Sequence, residues 1–332
     1  MTSWSRRSAL AASAAALACR ATGSTDAPSN WTEVRFGRHA LDIPPGLLGQ
    51  HETEFQLGSD LGTESSDRLA LQREYAQLIA EAKETVSLYE DSDRLTVRLH
   101  RHEIAGAQVM ALERNKLGIY HSCKVNFLLL HNKSGLLVRR SHHDQLAAPA
   151  MLKLEKYLAN LEHLPSQRER SNPYYTPHHE LELDPDLGQR IEVLLQDGNR
   201  RFLSLESATV RGREYLDMGG ATLVHSDLVA SRRQYQGTGT ANLLRRWIIR
   251  RANEMVAPEY AWTTDHGEGG RLNFAWVYRG RAFDVRRPYM VILYSGDLAY
   301  NEPAALRREW KQIITSLRSI PQATLVFEYE PG

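Results

Sequence analysis

The sequence predicts an α+β protein of two similar tandem domains, each a mainly antiparallel sheet packed by helices. Apolar residues recur at i, i+3, i+4, i+7 and i+10 in two distant segments, and this spacing marks one face of a helix. Each segment follows an apolar run typical of strands, residues 125–138 or 289–294, and a proline, Pro165 or Pro321, ends it. The matched residues are Leu154, Tyr157, Leu158, Leu161 and Leu164 against Trp310, Ile313, Ile314, Leu317 and Ile320.

The first domain is predicted over residues 31–165. Residues 32–36 and 39–43 alternate like two strands around Gly37, which indicates an opening hairpin. A helix is predicted from the spacing of Leu71, Tyr75, Leu78, Ile79, Ala82 and Val86. Strands are expected near residues 95–99, 107–113, 118–130 and 136–140, and a closing helix over 147–161.

The second domain is predicted over residues 178–332, after a linker at 166–177. The boundary segment 164–173 is polar and contains two prolines, as linkers often do. Residues 179–183 and 208–216 resemble residues 39–43 and 103–110, so the duplication extends beyond one helix. An insertion at about residues 225–271 distinguishes the second half. Its predicted helix has one apolar face, formed by Leu243, Leu244, Trp247, Ile248 and Met255.

The first 30 residues are typical of a processing signal. Arg6 and Arg7 precede an alanine-rich apolar stretch too short to span a bilayer, and Ala16-Leu17-Ala18 precedes Cys19. We therefore predict a signal peptide at residues 1–18 and a polar tether at 19–30. Lipidation of Cys19, simple cleavage, and an unprocessed cytoplasmic chain remain open, and lipidation is favoured.

The composition describes an ordinary globular chain without a nucleic-acid-binding character. The 332 residues contain 41 Lys and Arg and 40 Asp and Glu, a formal charge of +1. A nucleic-acid-binding protein usually carries a strong positive balance, so no nucleic-acid partner is expected. The length exceeds the size at which a single core usually keeps growing, in agreement with two domains.

No recognised catalytic or cofactor motif is present in the sequence. It lacks a G-x-S-x-G elbow, an H-E-x-x-H motif, a P-loop and a dinucleotide fingerprint. Three clusters place histidine beside carboxylate, at residues 142–144, 178–180 and 265–268. Adjacent residues point in different directions, so we expect solvated loops there. We predict no enzyme activity, no cofactor, and no metal site.

Aromatic residues in polar surroundings are candidates for partner contacts. Tyr174 and Tyr175 lie beside the predicted linker, and Trp262 precedes the glycine-rich segment 265–270. Large aromatic and arginine side chains often anchor protein interfaces. We expect partner binding at Tyr174, Tyr175, Trp262, His266 and Arg271, although ordinary packing is the alternative for each aromatic.

Several short motifs of the second half resemble those of a known family. They are residues 210–216, 274–276, 287–296 and the helix from Leu306 through Trp310 to Arg318. Their order resembles the C-terminal domain of immunity proteins against type VI secretion lipase effectors. That family has a related N-terminal domain, in agreement with the duplication. The insertion at 225–271 is longer than the family pattern.

The resemblance implies a periplasmic, non-enzymatic protein that binds and inhibits a cognate phospholipase effector. Lipidation of Cys19 would tether it to a membrane, with the outer membrane favoured, and a monomer is expected before complex formation. Two alternatives remain open. One is an exported lipoprotein that binds a small molecule or envelope polymer between two domains, and the other is an exported hydrolase that uses a His/acid cluster.

Overall fold

The fold combines antiparallel sheets with helices. The computed structural model describes residues 30–90, 94–116, 119–143, 145–163, 173–182, 188–210, 241–252, 254–264, 270–281, 284 and 286–320. These residues form one twelve-stranded sheet, two three-stranded sheets and three α-helices. This architecture confirms the predicted α+β class.

The twelve-stranded sheet takes six strands from each half of the chain. The first half supplies β3 (Gln50–Leu57), β4 (Asp60–Ser65), β5 (Thr96–Ile104), β6 (Ala107–Lys116), β7 (Tyr120–Leu130) and β8 (Gly135–His143). The second half supplies β12 (Gln189–Gln196), β13 (Arg201–Ala208), β14 (Ala241–Ala252), β15 (Met255–Thr264), β16 (Arg271–Tyr278) and β17 (Tyr289–Asp297). All neighbouring strands are antiparallel.

The strand order is the same in both halves when it is read outward from the middle. The first half runs β3-β4-β8-β7-β6-β5, and the second runs β12-β13-β17-β16-β15-β14. The halves meet where β3 pairs with β12, from Gln50 opposite Gln196 to Leu57 opposite Gln189. The sheet therefore continues without a break across the predicted domain boundary.

Two small sheets exchange strands between the halves. The hairpin β1 (Thr32–Phe36) and β2 (His39–Ile43) pairs with β18 (Arg318–Ser319), which follows the last described helix. Conversely, β10 (Pro173–Tyr175) and β11 (His179–Glu182) form a hairpin, and β11 pairs with β9 (Glu162–His163), which follows a helix of the first half. Each half thus completes the hairpin of the other.

Three helices cover the two faces of the sheet. They are α1 (Arg68–Tyr89), α2 (Ala147–Asn160) and α3 (Pro303–Ser316), and all three follow the predicted apolar spacing. Helices α2 and α3 share one large core with the hairpin and with alternate residues of the sheet, such as Val109 and Phe127. Helix α1 packs on Met110 and Leu128, which point to the opposite face.

The strand β3 shows how alternation fixes the centre of the sheet. Its odd-numbered residues are buried and its even-numbered residues are exposed. Phe55 lies opposite Gly62 of β4, and a Cβ atom on Gly62 would come within 2.0 Å of the Phe55 ring. Glycine at this position lets the ring lie flat across the neighbouring strand.

The predicted helix over Leu243 to Met255 is wrong. These residues belong to β14 and to the start of β15, which pair as an antiparallel hairpin. The register of this pair shifts between Leu243 and Arg245 and again between Arg245 and Ile248. Each shift inserts residues that break the two-residue alternation, so the apolar spacing imitates a helix.

Candidate functional site

A groove opens where the two halves of the central sheet meet. Its volume is about 560 Å³. One wall of the groove is formed by the start of β3 and the turn between β4 and α1. The opposite wall is formed by β12 and β13. The lining residues are Gly49, Gln50, His51, Glu52, Ser65, Ser66, Asp67, Leu194, Leu195, Gln196 and Phe202.

The groove combines apolar and acidic side chains. Leu194 and Phe202 are half-buried and lie on the adjacent strands β12 and β13. Glu52 lies directly opposite Leu194 and is exposed. Asp67 caps the first turn of α1, where its Oδ1 accepts a hydrogen bond from the Ala70 amide at 2.9 Å. The groove can therefore accommodate an apolar side chain beside a basic or hydrogen-bonding group.

A buried polar cluster lies beside the groove and is centred on Glu64. The Glu64 carboxylate is fully buried on β4. It accepts a hydrogen bond from the Thr176 hydroxyl and one from the His178 amide at 3.2 Å. The His179 Nδ1 lies 2.5 Å from Glu64 Oε2, and the His51 Nε2 lies 3.4 Å from Glu64 Oε1.

Glu64 is ionised in this cluster. Burial alone raises the pKa of its carboxyl, because a charge is poorly solvated in the protein interior. The imidazoles of His179 and His51 outweigh this effect and hold the pKa below the usual range of glutamate. The carboxylate joins β4 to the segment between the halves, so this cluster ties the two halves together.

A second buried network lies at the turn between β12 and β13 and is centred on Arg201. Arg201 Nε donates to Asp197 Oδ2 at 2.7 Å, and its Nη1 donates to Glu309 Oε1 at 2.8 Å. Its Nη2 donates to the Pro45 carbonyl at 2.9 Å. Burial lowers the pKa of Arg201, but the hydrogen bond to Asp197 and the negative charges of Glu309 and Asp197 together raise it above the usual value of arginine. This network fixes α3 and the end of the opening hairpin against the β12–β13 turn.

The groove contains serine, histidine and carboxylate, but not in a catalytic arrangement. The Ser66 hydroxyl accepts a hydrogen bond from the His51 amide at 3.2 Å and lies 3.4 Å from the His51 carbonyl. Among the described residues, neither ring nitrogen of His51 has a hydrogen-bond partner. A nucleophile needs a base within hydrogen-bond reach, so this pair does not form an activated serine.

The structure corrects the expectation for Tyr174 and Tyr175. Both rings are buried, at 2% and 5% exposure, in strand β10 rather than in an open loop. Tyr174 packs in the main core, and Arg35 lies over the Tyr175 ring at 5.2 Å from its centroid. Neither tyrosine presents an exposed ring to a partner, because β10 pairs with β11 across the junction.

The other predicted partner-binding residues lie at the β15–β16 end of the sheet. Trp262 is half-buried within β15, so its surroundings are a strand rather than a loop. Arg271 begins β16 and pairs with Thr264. His266 lies outside the described residues, as does Cys19, the predicted lipidation site. Partner contact at this end of the sheet stays a prediction.

The three histidine–carboxylate clusters noted in the sequence differ in burial and position. His179 and Glu180 are fully buried, so the expected solvated loop at residues 178–180 is wrong. Glu64, which is more than 110 residues away, supplies the partner that makes this burial possible. His142 and His143 end strand β8 and are half-buried and exposed. The cluster at residues 265–268 lies outside the described residues.

Sequence reasoning missed the groove and the Glu64 cluster. Their residues come from segments far apart in the chain, and no local motif links them. The alternation of residues 50–57 could have indicated that His51 and Thr53 lie on the buried face of a strand. A buried histidine is uncommon without a partner and would have suggested a polar cluster.

Comparison with solved structures relates the whole fold to one class of protein. TplEi, an immunity protein of the type VI secretion system from Pseudomonas aeruginosa, is 13% identical and has a TM-score of 0.56. The match covers 89% of this chain and 99% of TplEi. TplEi complexed with an "L" peptide gives 14% identity, 89% and 100% coverage, and a TM-score of 0.55.

A further match is to the crystal structure of the Tle4–Tli4 complex. The matched chain of that complex is 14% identical to this chain. The match covers 90% of this chain and 100% of the matched chain, with a TM-score of 0.58. No family model and no curated protein matches the sequence. The chain thus has the fold of type VI secretion immunity proteins. The family resemblance seen in its short motifs is confirmed at the level of the fold.

Among the described residues, none of the helices is both long and apolar enough to cross a bilayer.

Proposed function

We propose that this chain is an immunity protein that binds and inhibits a cognate type VI secretion phospholipase effector in the periplasm. Such binding would protect the producing cell from the toxin. The observation that carries the proposal is the fold match, which extends over about 90% of the chain and the full length of the matched immunity protein chains. The matched Tle4–Tli4 structure is itself a complex.

The junction groove is the proposed contact surface. It exposes Glu52 and Asp67 around the half-buried Leu194 and Phe202. Interface hot spots are often aromatic side chains in a pocket, surrounded by polar residues that exclude water. The effector would insert an apolar side chain above Phe202 and place a basic group near Glu52. Trp262, His266 and Arg271 are proposed to extend this contact at the β15–β16 end.

The two halves are proposed to act as two similar modules that grip the effector together. Both present the same strand order, and the groove lies between them. The exchange of β9 and β18 holds the modules in one arrangement before binding, which reduces the entropy lost on association. A grip of this kind can block the mouth of a lipase without touching its catalytic serine.

The N-terminal segment supports export. Arg6, Arg7 and the apolar stretch before Cys19 suit a signal peptide that ends at residue 18. We propose that Cys19 is lipidated and that the mature chain is a monomer facing the periplasm. Fatty-acid labelling that persists after Cys19→Ser would contradict lipidation at this position.

Binding to the proposed cognate phospholipase effector tests the proposal. We expect nanomolar affinity, on the order of −12 kcal/mol, over an interface of roughly 1,600 Å². The full chain should be used, because a separated half would lack the strand that completes its hairpin. Isothermal titration calorimetry should give one effector per chain, and absence of heat at micromolar concentrations would contradict the proposal.

Two charge reversals map the contact to the groove. Glu52→Lys changes a groove residue, whereas Glu54→Lys changes the next exposed residue on the same face of β3, outside the groove. We expect Glu52→Lys to slow association by about tenfold or more, because rim charges act mainly on the on-rate. Glu54→Lys should bind like the wild type. Equal rates for the two variants would place the contact elsewhere.

A binding protein for a small molecule is the second candidate function. The groove volume of about 560 Å³ is within the range of ligand pockets, roughly 300–1,000 Å³. Such a protein would be stabilised by a metabolite or an envelope polymer fragment in a thermal-shift screen. It would show no binding to the phospholipase effector, so the same calorimetric experiment separates the two functions.

A further inference from the structure

Three potential metal ligands converge at the junction of the halves. The ligand atoms of His51, Glu64 and His178 all lie within 4.8 Å of one another. They come from three different segments, namely β3, β4 and the turn between β10 and β11. No local sequence motif links these positions, so the fold alone brings them together.

One distance in the cluster matches that of a zinc site. Zinc binds histidine nitrogen and carboxylate oxygen at about 2.1 Å in a tetrahedron, which places neighbouring ligand atoms about 3.4 Å apart. His51 Nε2 and Glu64 Oε1 are 3.4 Å apart. Two histidines and one glutamate form a common zinc ligand set, in which water takes the fourth position.

The state of His51 is the second observation that points to a ligand. The residue is only 4% exposed, yet within the part of the chain that the structure describes neither ring nitrogen makes a hydrogen bond. A buried imidazole without hydrogen bonds is costly. Its Nε2 faces the Glu64 carboxylate, and the His178 ring lies against it with 4.5 Å between centroids. A cation between these groups would satisfy the nitrogen.

Neighbouring groups already orient the carboxylate. Glu64 Oε2 accepts hydrogen bonds from the Thr176 hydroxyl and from His179, whose Nδ1 is 2.5 Å away. Glu64 Oε1 accepts a hydrogen bond from the His178 amide at 3.2 Å and lies 3.4 Å from His51 Nε2, so its second lone pair is available to an ion. Hydrogen-bonding partners of this kind fix metal ligands in position and contribute to metal affinity.

We propose that His51, Glu64 and His178 bind one zinc ion at the junction between the halves. The ion would enter through the groove, since His51 lines it and His178 is partly exposed. It would link β3 and β4 to the β10–β11 turn and so lock the arrangement of the two modules. This site departs from the absence of a metal expected from sequence. It does not depend on the proposed function.

Zinc titration of the tag-free, metal-stripped full chain tests the proposal. Calorimetry should show one zinc ion per chain, and zinc should raise the unfolding temperature. Co²⁺ should give the visible absorption typical of a tetrahedral site. His178→Asn should weaken zinc binding by about 100-fold or more, and Thr176→Val, which removes only an orienting hydroxyl, by about 10- to 100-fold.

A matched control separates this site from surface binding. His102 is exposed on β5 and lies outside the cluster, so His102→Asn should retain wild-type zinc affinity. Absence of zinc binding to the wild type would show that the cluster is only a hydrogen-bonded network. Equal affinity of the wild type and a folded His178→Asn variant would also overturn the proposal. Circular dichroism checks that each variant is folded.

Discussion

The close contact between Gly62 and Phe55 makes a sharp prediction about the centre of the sheet. In Gly62→Ala, the new Cβ would lie 2.0 Å from Cζ and 2.3 Å from Cε2 of the Phe55 ring. Ordinary carbon contacts are near 3.5 Å or longer. The ring would therefore have to move by about 1.5 Å, yet Phe55 is only 3% exposed and packs in the main core.

The expected cost follows from this overpacking. Inserting a methyl group into a packed core typically costs about 1–3 kcal/mol. With a urea m-value of about 3 kcal/mol/M, a loss of about 2 kcal/mol lowers the unfolding midpoint by roughly 0.7 M. Gly198→Ala is the matched control, since a Cβ there would have no atom of the described residues within 4 Å. Its midpoint should change little.

A double-mutant cycle identifies the cause. Phe55→Leu removes the ring, so Gly62→Ala should cost less in that background than in the wild type. We expect a coupling of at least about 0.5 kcal/mol between the two positions. A Gly62→Ala midpoint equal to that of Gly198→Ala would refute the reasoning. If the free-energy costs of Gly62→Ala and Phe55→Leu simply added, the alanine would not be displacing the Phe55 ring.

Two further predictions concern stability. Burial lowers the pKa of His39 to about 4, and nearby Arg38 adds to this effect, although the Arg286 backbone opposes it. Between pH 6.5 and 4 the unfolded chain binds a proton that the folded chain does not. Stability should fall over this window as pH decreases, by on the order of 3 kcal/mol, and urea midpoints of His39→Gln should lack this component. If a folded His39→Gln variant lost as much stability between pH 6.5 and 4 as the wild type, His39 would not be the cause of the loss. Separately, Leu306→Ala should cost about 2–5 kcal/mol, because Leu306 is fully buried and fills the space above Gly296. Leu88→Ala, at a position 74% exposed on α1, should change stability by less than about 0.5 kcal/mol.

Local patterns predicted many elements of the structure. The hairpin at residues 32–36 and 39–43 has the expected bounds, because its alternation and its turn lie in adjacent residues. Helices α2 and α3 follow their apolar spacing, with Leu154 and Trp310 buried as expected. These elements bury one continuous face, so their periodicity is directly visible in the sequence.

Long-range pairing limited the rest of the prediction. Arg318 Nη2 donates to Asp42 Oδ1 at 3.0 Å and also contacts Glu33, which lies nearly 300 positions earlier. The Glu64 cluster likewise joins residues more than 100 positions apart. Polar residues near 174–180 looked like a loop because their partners are not local. In β14, the bulges removed the alternation that identifies a strand.

Inhibition of the effector is the most direct test of the central claim. The full chain should be titrated into a fixed amount of the proposed cognate phospholipase while phospholipid hydrolysis is measured. The rate of phospholipid hydrolysis should fall linearly and reach zero at one equivalent of this chain, as nanomolar binding requires. Phe202→Ala, which removes an aromatic ring from the groove, should need a clear excess, because truncating an interface anchor typically costs about 2 kcal/mol or more. Full hydrolysis in the presence of excess wild-type chain would contradict the account.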